Sequence, residues 1–146
     1  MLTLTGSTKK KILVVDDETD FSLLQRVMPE YEIHVETRAA MALAVAKRIR
    51  PDVFLIDLVM PDIHGMALAR NIRRDRHFKK IPIVFVSALV HFSEECDEPV
   101  LVGEFPAFGK PFRIEALKRC IEEQIHGDPS AMAGLRRVNI GTIAGW

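Results

Sequence analysis

The chain has 146 residues, of which 48% are hydrophobic and 27% charged, enough to enclose the core of one globular domain. Twenty basic and twenty acidic residues cancel, so the chain lacks the overall bias of a nucleic-acid or anionic-membrane binder. The opening MLTLTGSTKKKILVV meets its basic run only after position 8 and reaches an acid at Asp16, the wrong order for a secretory leader, and no apolar run approaches the ~18 residues needed to cross a bilayer.

Residues 1–9 read as a lead. KILVV at 11–15 is nearly continuously apolar, the pattern of a strand covered on both faces in a parallel sheet. Phe21, Leu24 and Met28 then form one stripe of a short first helix that Pro29 helps to stop. YEIHV at 31–35 alternates, as suits an edge strand, and Met41, Val45 and Ile49 recur at helical spacing. VFLI at 53–56 and IPIVFVS at 81–87 are again strands of the covered kind.

The next segment, HFSEECDEPVLVGEF, carries Pro99 and acids at 94, 95, 97 and 98, leaving room for only a short or irregular fourth helix. A fifth strand is expected within VGEFPAFGK, before Lys110. Ile114, Leu117, Ile121 and Ile125 predict a last helix ending near His126. Residues 127–146 are too short for an output domain and read as a tail or linker. Its Leu135, Val138, Ile140, Ile143 and Trp146 suit docking on a partner or a second copy, against the simpler alternative of end-of-chain disorder.

Strands alternating with helices predict an α/β fold, an open parallel sheet with helices on both faces. Ligands of such sheets lie beyond the carboxyl ends of the strands, where the strand order reverses. That places Asp16 and Asp17 after the first strand, Asp57 after the third, Ser87 after the fourth and Lys110 after the fifth in one crevice.

Three carboxylates brought together repel, and a hard divalent cation with oxygen ligands relieves the repulsion. Mg²⁺ is favoured, because one or two carboxylates, waters and a phosphate complete its octahedron. A carboxylate can also attack phosphorus to form an acyl phosphate. The transferred group then needs fixed cationic and hydroxyl partners, here Lys110 and Ser87.

VVDDETD at 14–20, LIDLVMPDIHG at 55–65, VSA at 86–88 and GKPF at 109–112 resemble, in order and spacing, the signature set of the response-regulator receiver domain over residues 10–126. The resemblance implies a flavodoxin-like, doubly wound, five-stranded fold. It implies Asp57 as acceptor of a phosphoryl group from a histidine kinase or phosphotransfer protein, Asp16 and Asp17 as Mg²⁺ residues, and a Val59 carbonyl as a further metal ligand. Ser87 becomes the switch hydroxyl, and Lys110 the lysine that precedes a usually cis proline, Pro111. The resemblance implies a signalling switch acting through protein contacts, with an unnamed output partner and a second copy among the candidates; the cysteine usage and charge balance make the cytoplasm the expected location, with neither nucleic acid nor membrane expected as partner.

Some positions depart from the pattern. Three residues before the lysine the family usually carries an aromatic, and this chain has Ala107; Phe105 and Phe108 read as core. Val59 and Leu89, two residues after the acceptor and the hydroxyl, are apolar and cannot orient an attacking water. Against the switch stand a degenerate receiver that binds partners without phosphotransfer and a haloacid-dehalogenase-type phosphatase. The latter requires a second Asp two residues after its nucleophile, where this chain has Glu18 after Asp16.

Each residue also has a plainer reading. Asp17 would cap a helix, Ser87 would satisfy a strand end, and Lys110 would pair with any acid. The basic run Arg70, Arg73, Arg74, Arg76 and Lys79 reads as a solvated helix end complementing the dipole. His64 reads as a surface loop residue, and Met60 and Met66 as packing. Cys96 and Cys120 have no spacing that signals a disulfide framework or a zinc site.

Overall fold

The computed structural model describes residues 9–18, 20–88 and 98–139. In chain order the elements are β1 (Lys10–Val15), α1 (Phe21–Val27), β2 (Tyr31–Glu36), α2 (Ala42–Ile49), β3 (Val53–Asp57), α3 (Gly65–Arg74), β4 (Ile83–Ser87), β5 (Val100–Val102), β6 (Phe105–Gly109), α4 (Ile114–His126) and β7 (Arg137–Val138). Single 3₁₀ turns lead into α2 and follow α4. The strand order is β2-β1-β3-β4-β6-β5-β7, and the first five of these are mutually parallel. They are the five-stranded sheet expected from the sequence, with β2 on its edge.

Two strands were not expected. β5 runs antiparallel to β6, and β7 pairs parallel with β5, so the sheet has seven strands. Gly103 and Glu104 alone join β5 to β6. Gly103 takes φ +63°, the positive value that a two-residue hairpin turn needs at its first position. Residues 89–97 lie outside the described residues, so the expected fourth helix is not described there, and from Val100 the chain is strand. The tail, for which disorder was the simpler expectation, carries β7 within its described residues, which run to Asn139. Leu101 N–H donates to the Arg136 carbonyl at 2.8 Å, and Val138 packs on the core.

The two-residue period of the strands divides the core into two layers. Leu13, Val15, Phe54, Ile56, Ile83, Phe85, Phe105 and Ala107 meet α2 and α3 on one face. Ile12, Val14, Val53, Leu55, Val84, Val86 and Phe108 meet α1 and α4 on the other. Both faces are covered, which is why the central strands carry no polar alternation.

The helices follow the expected spacing with two differences. Phe21 is 46% exposed, and the short α1 covers the sheet through Leu24, Val27 and the buried Met28 just beyond its end. Met41 is also exposed, while Val45 and Ile49 are buried. Arg73, read as part of a solvated helix end, is half-buried instead. Its Nη1 donates to the Phe78 and Ile81 carbonyls at 3.4 and 2.7 Å, and its guanidinium lies 5.2 Å from the Phe105 ring centroid. It ties the end of α3 to the approach of β4 and to the hairpin.

Gly65 opens α3 against the end of β3. Its N–H donates to the Leu58 carbonyl at 2.9 Å, and a Cβ there would lie 2.3 Å from the Asp57 carbonyl oxygen and 2.7 Å from Leu58 Cα. No side chain fits that approach unless the backbone carrying Asp57 moves. Gly65→Ala should therefore destabilise the fold by about 1–3 kcal/mol, the usual cost of overpacking, read as a lower urea midpoint; an unchanged midpoint would show that the loop yields freely.

Candidate functional site

Strand register brings the acids together. Val14 pairs with Leu55 and Val15 with Ile56, so Asp16, one step beyond β1, stands beside Asp57, the last residue of β3. β4 pairs Val86 with Asp57, and β6 pairs Gly109 with Ser87. Lys110 follows at once, its N–H donating to the Ser87 carbonyl at 3.0 Å. The strand order reverses between β1 and β3, and the site lies at that switch point.

The geometry is that of one cation between two buried acids. Lys110 Nζ lies 2.7 Å from Asp16 Oδ2 and 3.3 Å from Asp57 Oδ2. Asp16 is 2% and Asp57 8% exposed, Ser87 is fully buried, and Asp17 is exposed at the rim. Asp16 Oδ1 accepts the Glu18 N–H at 2.9 Å, and Asp57 Oδ1 accepts the Val59 N–H at 3.2 Å. Asp17, Asp57, Ser87 and Lys110 line a crevice of about 470 Å³ together with Val59, Met60 and Ala88. The Lys110–Pro111 bond is cis, as the resemblance implied.

Burial pushes the Asp57 carboxyl up. The Val59 amide and the Lys110 charge oppose the rise in part, and the charge of Asp16 adds to it. Burial alone would pull the Lys110 ammonium down, but its bond to Asp16 and the charges of both acids outweigh burial and hold it above the usual lysine range.

Each of Asp16, Asp17 and Asp57 offers a carboxylate oxygen within 4.8 Å of the others. Such a set of hard oxygen donors, partly buried and open on one side, suits Mg²⁺ with its water shell. The site residues read from the sequence thus converge. Asp17 does not cap α1, because Asp20 does so by accepting the Leu23 N–H at 3.2 Å.

Ala107 is fully buried, and Phe105 and Phe108 are core as expected. Val59 is 46% exposed at the mouth, and Leu89 lies outside the described residues. His64, read as a surface residue, is half-buried and precedes α3 as its N-cap. Met60 is buried and Met66 packs on the core, as expected. The close approach of Gly65 was missed, although a Gly eight residues after a strand-end acid at the start of a helix is visible in the sequence.

A doubly wound parallel sheet with a lysine-bridged pair of strand-end acids at its switch point defines the class, an α/β domain with an acidic ligand crevice. The family model for the response regulator receiver domain matches residues 12–122, and the chain belongs to that family. It is 33% identical over 111 residues to a protein-glutamate methylesterase/protein-glutamine glutaminase of Agrobacterium fabrum, covering 72% of this chain and 31% of that protein. It is 37% identical over 82 residues to the response regulator PleD of Caulobacter vibrioides, covering 54% of this chain and 18% of PleD.

The chain thus spans a third or less of these relatives. Among solved structures, the chemotaxis response regulator CheY4 of Vibrio cholerae superposes with a TM-score of 0.61 at 26% identity, covering 80% of this chain and 99% of CheY4. A receiver domain from Methylobacillus flagellatus, at 21% identity and a TM-score of 0.62, covers 80% of this chain and 99% of its own and shares the fold. Family and fold together are those of a receiver domain of response regulators. No described helix is long and apolar enough to cross a membrane.

A stability consequence follows from the raised Asp57 pKa. The unfolded carboxyl ionises at its ordinary value while the native one keeps its proton to higher pH, so this group's contribution to stability is present below the ordinary value and lost as pH rises through the native one. Asp57→Asn carries no such charge. In metal-free buffer the variant should be more stable than the parent at neutral pH, and the gap should shrink as acid protonates Asp57, measured by urea unfolding across that window. A parent that is the more stable at neutral pH would contradict it.

Proposed function

We propose that Asp57 accepts the phosphoryl group, that Asp16 and Asp17 with Asp57 hold Mg²⁺, and that the donor is a histidine kinase or phosphotransfer protein. The observation carrying this reading is Lys110 Nζ held between the buried Asp16 and Asp57. A phosphoryl group added at Asp57 exchanges one carboxylate charge for a larger one, and an ammonium already in place offsets part of it.

In the transfer, a carboxylate oxygen of Asp57 bonds to phosphorus as the bond from phosphorus to the donor imidazole nitrogen breaks, and the imidazole leaves with that electron pair. Mg²⁺, when bound, offsets charge on the phosphoryl oxygens. Lys110 approaches the same oxygens from the β6 side, and the Ser87 hydroxyl, at the end of the neighbouring strand, is the group that follows the new charge. The Val59 carbonyl, next to the amide that holds Asp57, is the proposed backbone ligand. The receiver unit is residues 10–126, with 127–139 an appendage to its sheet, and it works in the cytoplasm through contacts with an output protein.

Incubation with Mg²⁺ and a small phosphodonor should add the mass of one phosphoryl group to the parent and none to Asp57→Asn. Labelling that persists on Asp57→Asn would move the acceptor elsewhere. An unlabelled parent would favour the phosphorylation-independent interaction module. Asp16→Ala and Asp17→Ala should each weaken Mg²⁺ binding and phosphotransfer while the chain stays folded by circular dichroism.

Lifetime is set at the mouth of the crevice. Acyl-phosphate hydrolysis needs water aligned for in-line attack, and the apolar, half-exposed Val59 supplies no hydrogen bond to align it. Val59→Asn should speed decay of the phosphorylated chain about tenfold, equivalent to ~1.4 kcal/mol of barrier, in a decay course after donor removal. Equal decay in parent and variant would assign the lifetime to another group.

A further inference from the structure

On the face of the sheet covered by α2 and α3, a groove of about 630 Å³ lies between α3 and the β5–β6 hairpin. Its walls include the apolar side chains of Leu58, Met66, Val102 and Val138. Arg70 of α3 and Arg137 of β7 line it from opposite elements, and both are exposed. Arg137 also donates to the Gly103 carbonyl, fixing its stem along the hairpin. Glu104 at the hairpin tip has its electrostatic partner in Arg73, and no acid among the described residues forms an ion pair with Arg70 or Arg137.

The groove is therefore apolar within, cationic at its rims and large enough for side chains of a bound segment. Guanidinium groups recognise carboxylates through paired hydrogen bonds, and burial of apolar side chains beside them supplies affinity. We propose that this groove docks an extended segment of the output protein in which an acidic residue is flanked by apolar ones.

The chain's own IGTIAGW, which continues from Asn139, carries no acidic side chain and answers only the apolar half of the site. The proposal rests on the phosphorylation-switch reading for its consequence. Leu58 follows Asp57 directly, its N–H donates to the Val86 carbonyl at 3.2 Å, and its carbonyl accepts from Gly65. A shift of the acceptor loop is thus a shift of the groove wall. Phosphorylation and peptide binding then change each other's affinity by the same factor.

The test titrates the nitrogen-labelled, unphosphorylated full chain with two pools of short capped peptides, apolar throughout except for a central Asp or Glu in one and a central Lys in the other. The acidic pool should shift the amide signals of Met66, Gly103 and Val138. Arg70→Glu should weaken that binding about tenfold. Because this variant removes no backbone hydrogen bond, it separates charge recognition from loosening of the hairpin.

No shift at these amides, equal shifts with the lysine pool, or undiminished binding by Arg70→Glu would overturn the proposal. So would contacts from Gly103 to residues 140–146 that vanish on truncation after Asn139, or peptide-free shifts that grow with protein concentration, which would assign the groove to the tail or to a second copy. The titration uses neither donor nor Mg²⁺, so failure of phosphotransfer is read separately in the mass measurement.

Discussion

The contact on which the structure depends is the Lys110 ammonium between Asp16 and Asp57. Two carboxylates at neighbouring strand ends, nearly removed from water, repel each other at a cost that folding cannot leave uncompensated. The lysine comes from a third strand end, so its position requires that β1, β3 and β6 be in register. That register is set by the two apolar layers, since a slip by one residue would turn every core side chain to the opposite face. Core packing and site geometry are one constraint seen at two ends of the same strands.

The sheet beyond β4 departs from the simple doubly wound plan. After Pro99 the chain doubles back through β5 and the Gly103 turn into β6, and the tail adds β7. Phe105 packs edge-on against Phe85 with ring centroids 5.4 Å apart and lies under the Arg73 guanidinium, so the hairpin is anchored to β4 and α3 at once. The surface next to β6 is built from hairpin and tail, and it surrounds the buried Ala107 where an aromatic residue was expected by resemblance.

Much of this was legible in the sequence because burial on both faces leaves so clear a mark. KILVV, VFLI and IVFVS could hardly be anything other than central strands, and four short motifs pointed to the acids, hydroxyl and lysine that the fold brings together. The hairpin was hidden for physical reasons. β6 was expected, but its partner β5 has only three residues, too short a run to read as a strand, although VLVGEF does contain a two-residue turn with Gly first. β7 has two residues, too few for any period. Arg73 was misread because a cation in a basic run looks solvated, and only the tertiary fold brings the Phe78 and Ile81 carbonyls to it. The exposure of Phe21 could not be foreseen, since helical spacing fixes which residues share a face but not how far a short helix extends over the sheet.

The two-residue length of β7 has a consequence for how the molecule behaves in company. A sheet that ended at β6 would present a five-residue strand of apolar character, whose backbone groups could template pairing with another chain. Among the described residues, capping by β5 and then by β7 leaves at that border only Arg137 and Val138 in strand geometry, with a charged side chain on the outermost rung. Such a border offers too few backbone partners to seed a ladder, and its charge repels a like copy. The appendage thus guards this border of the sheet, opposite the β2 edge, against edge-to-edge pairing.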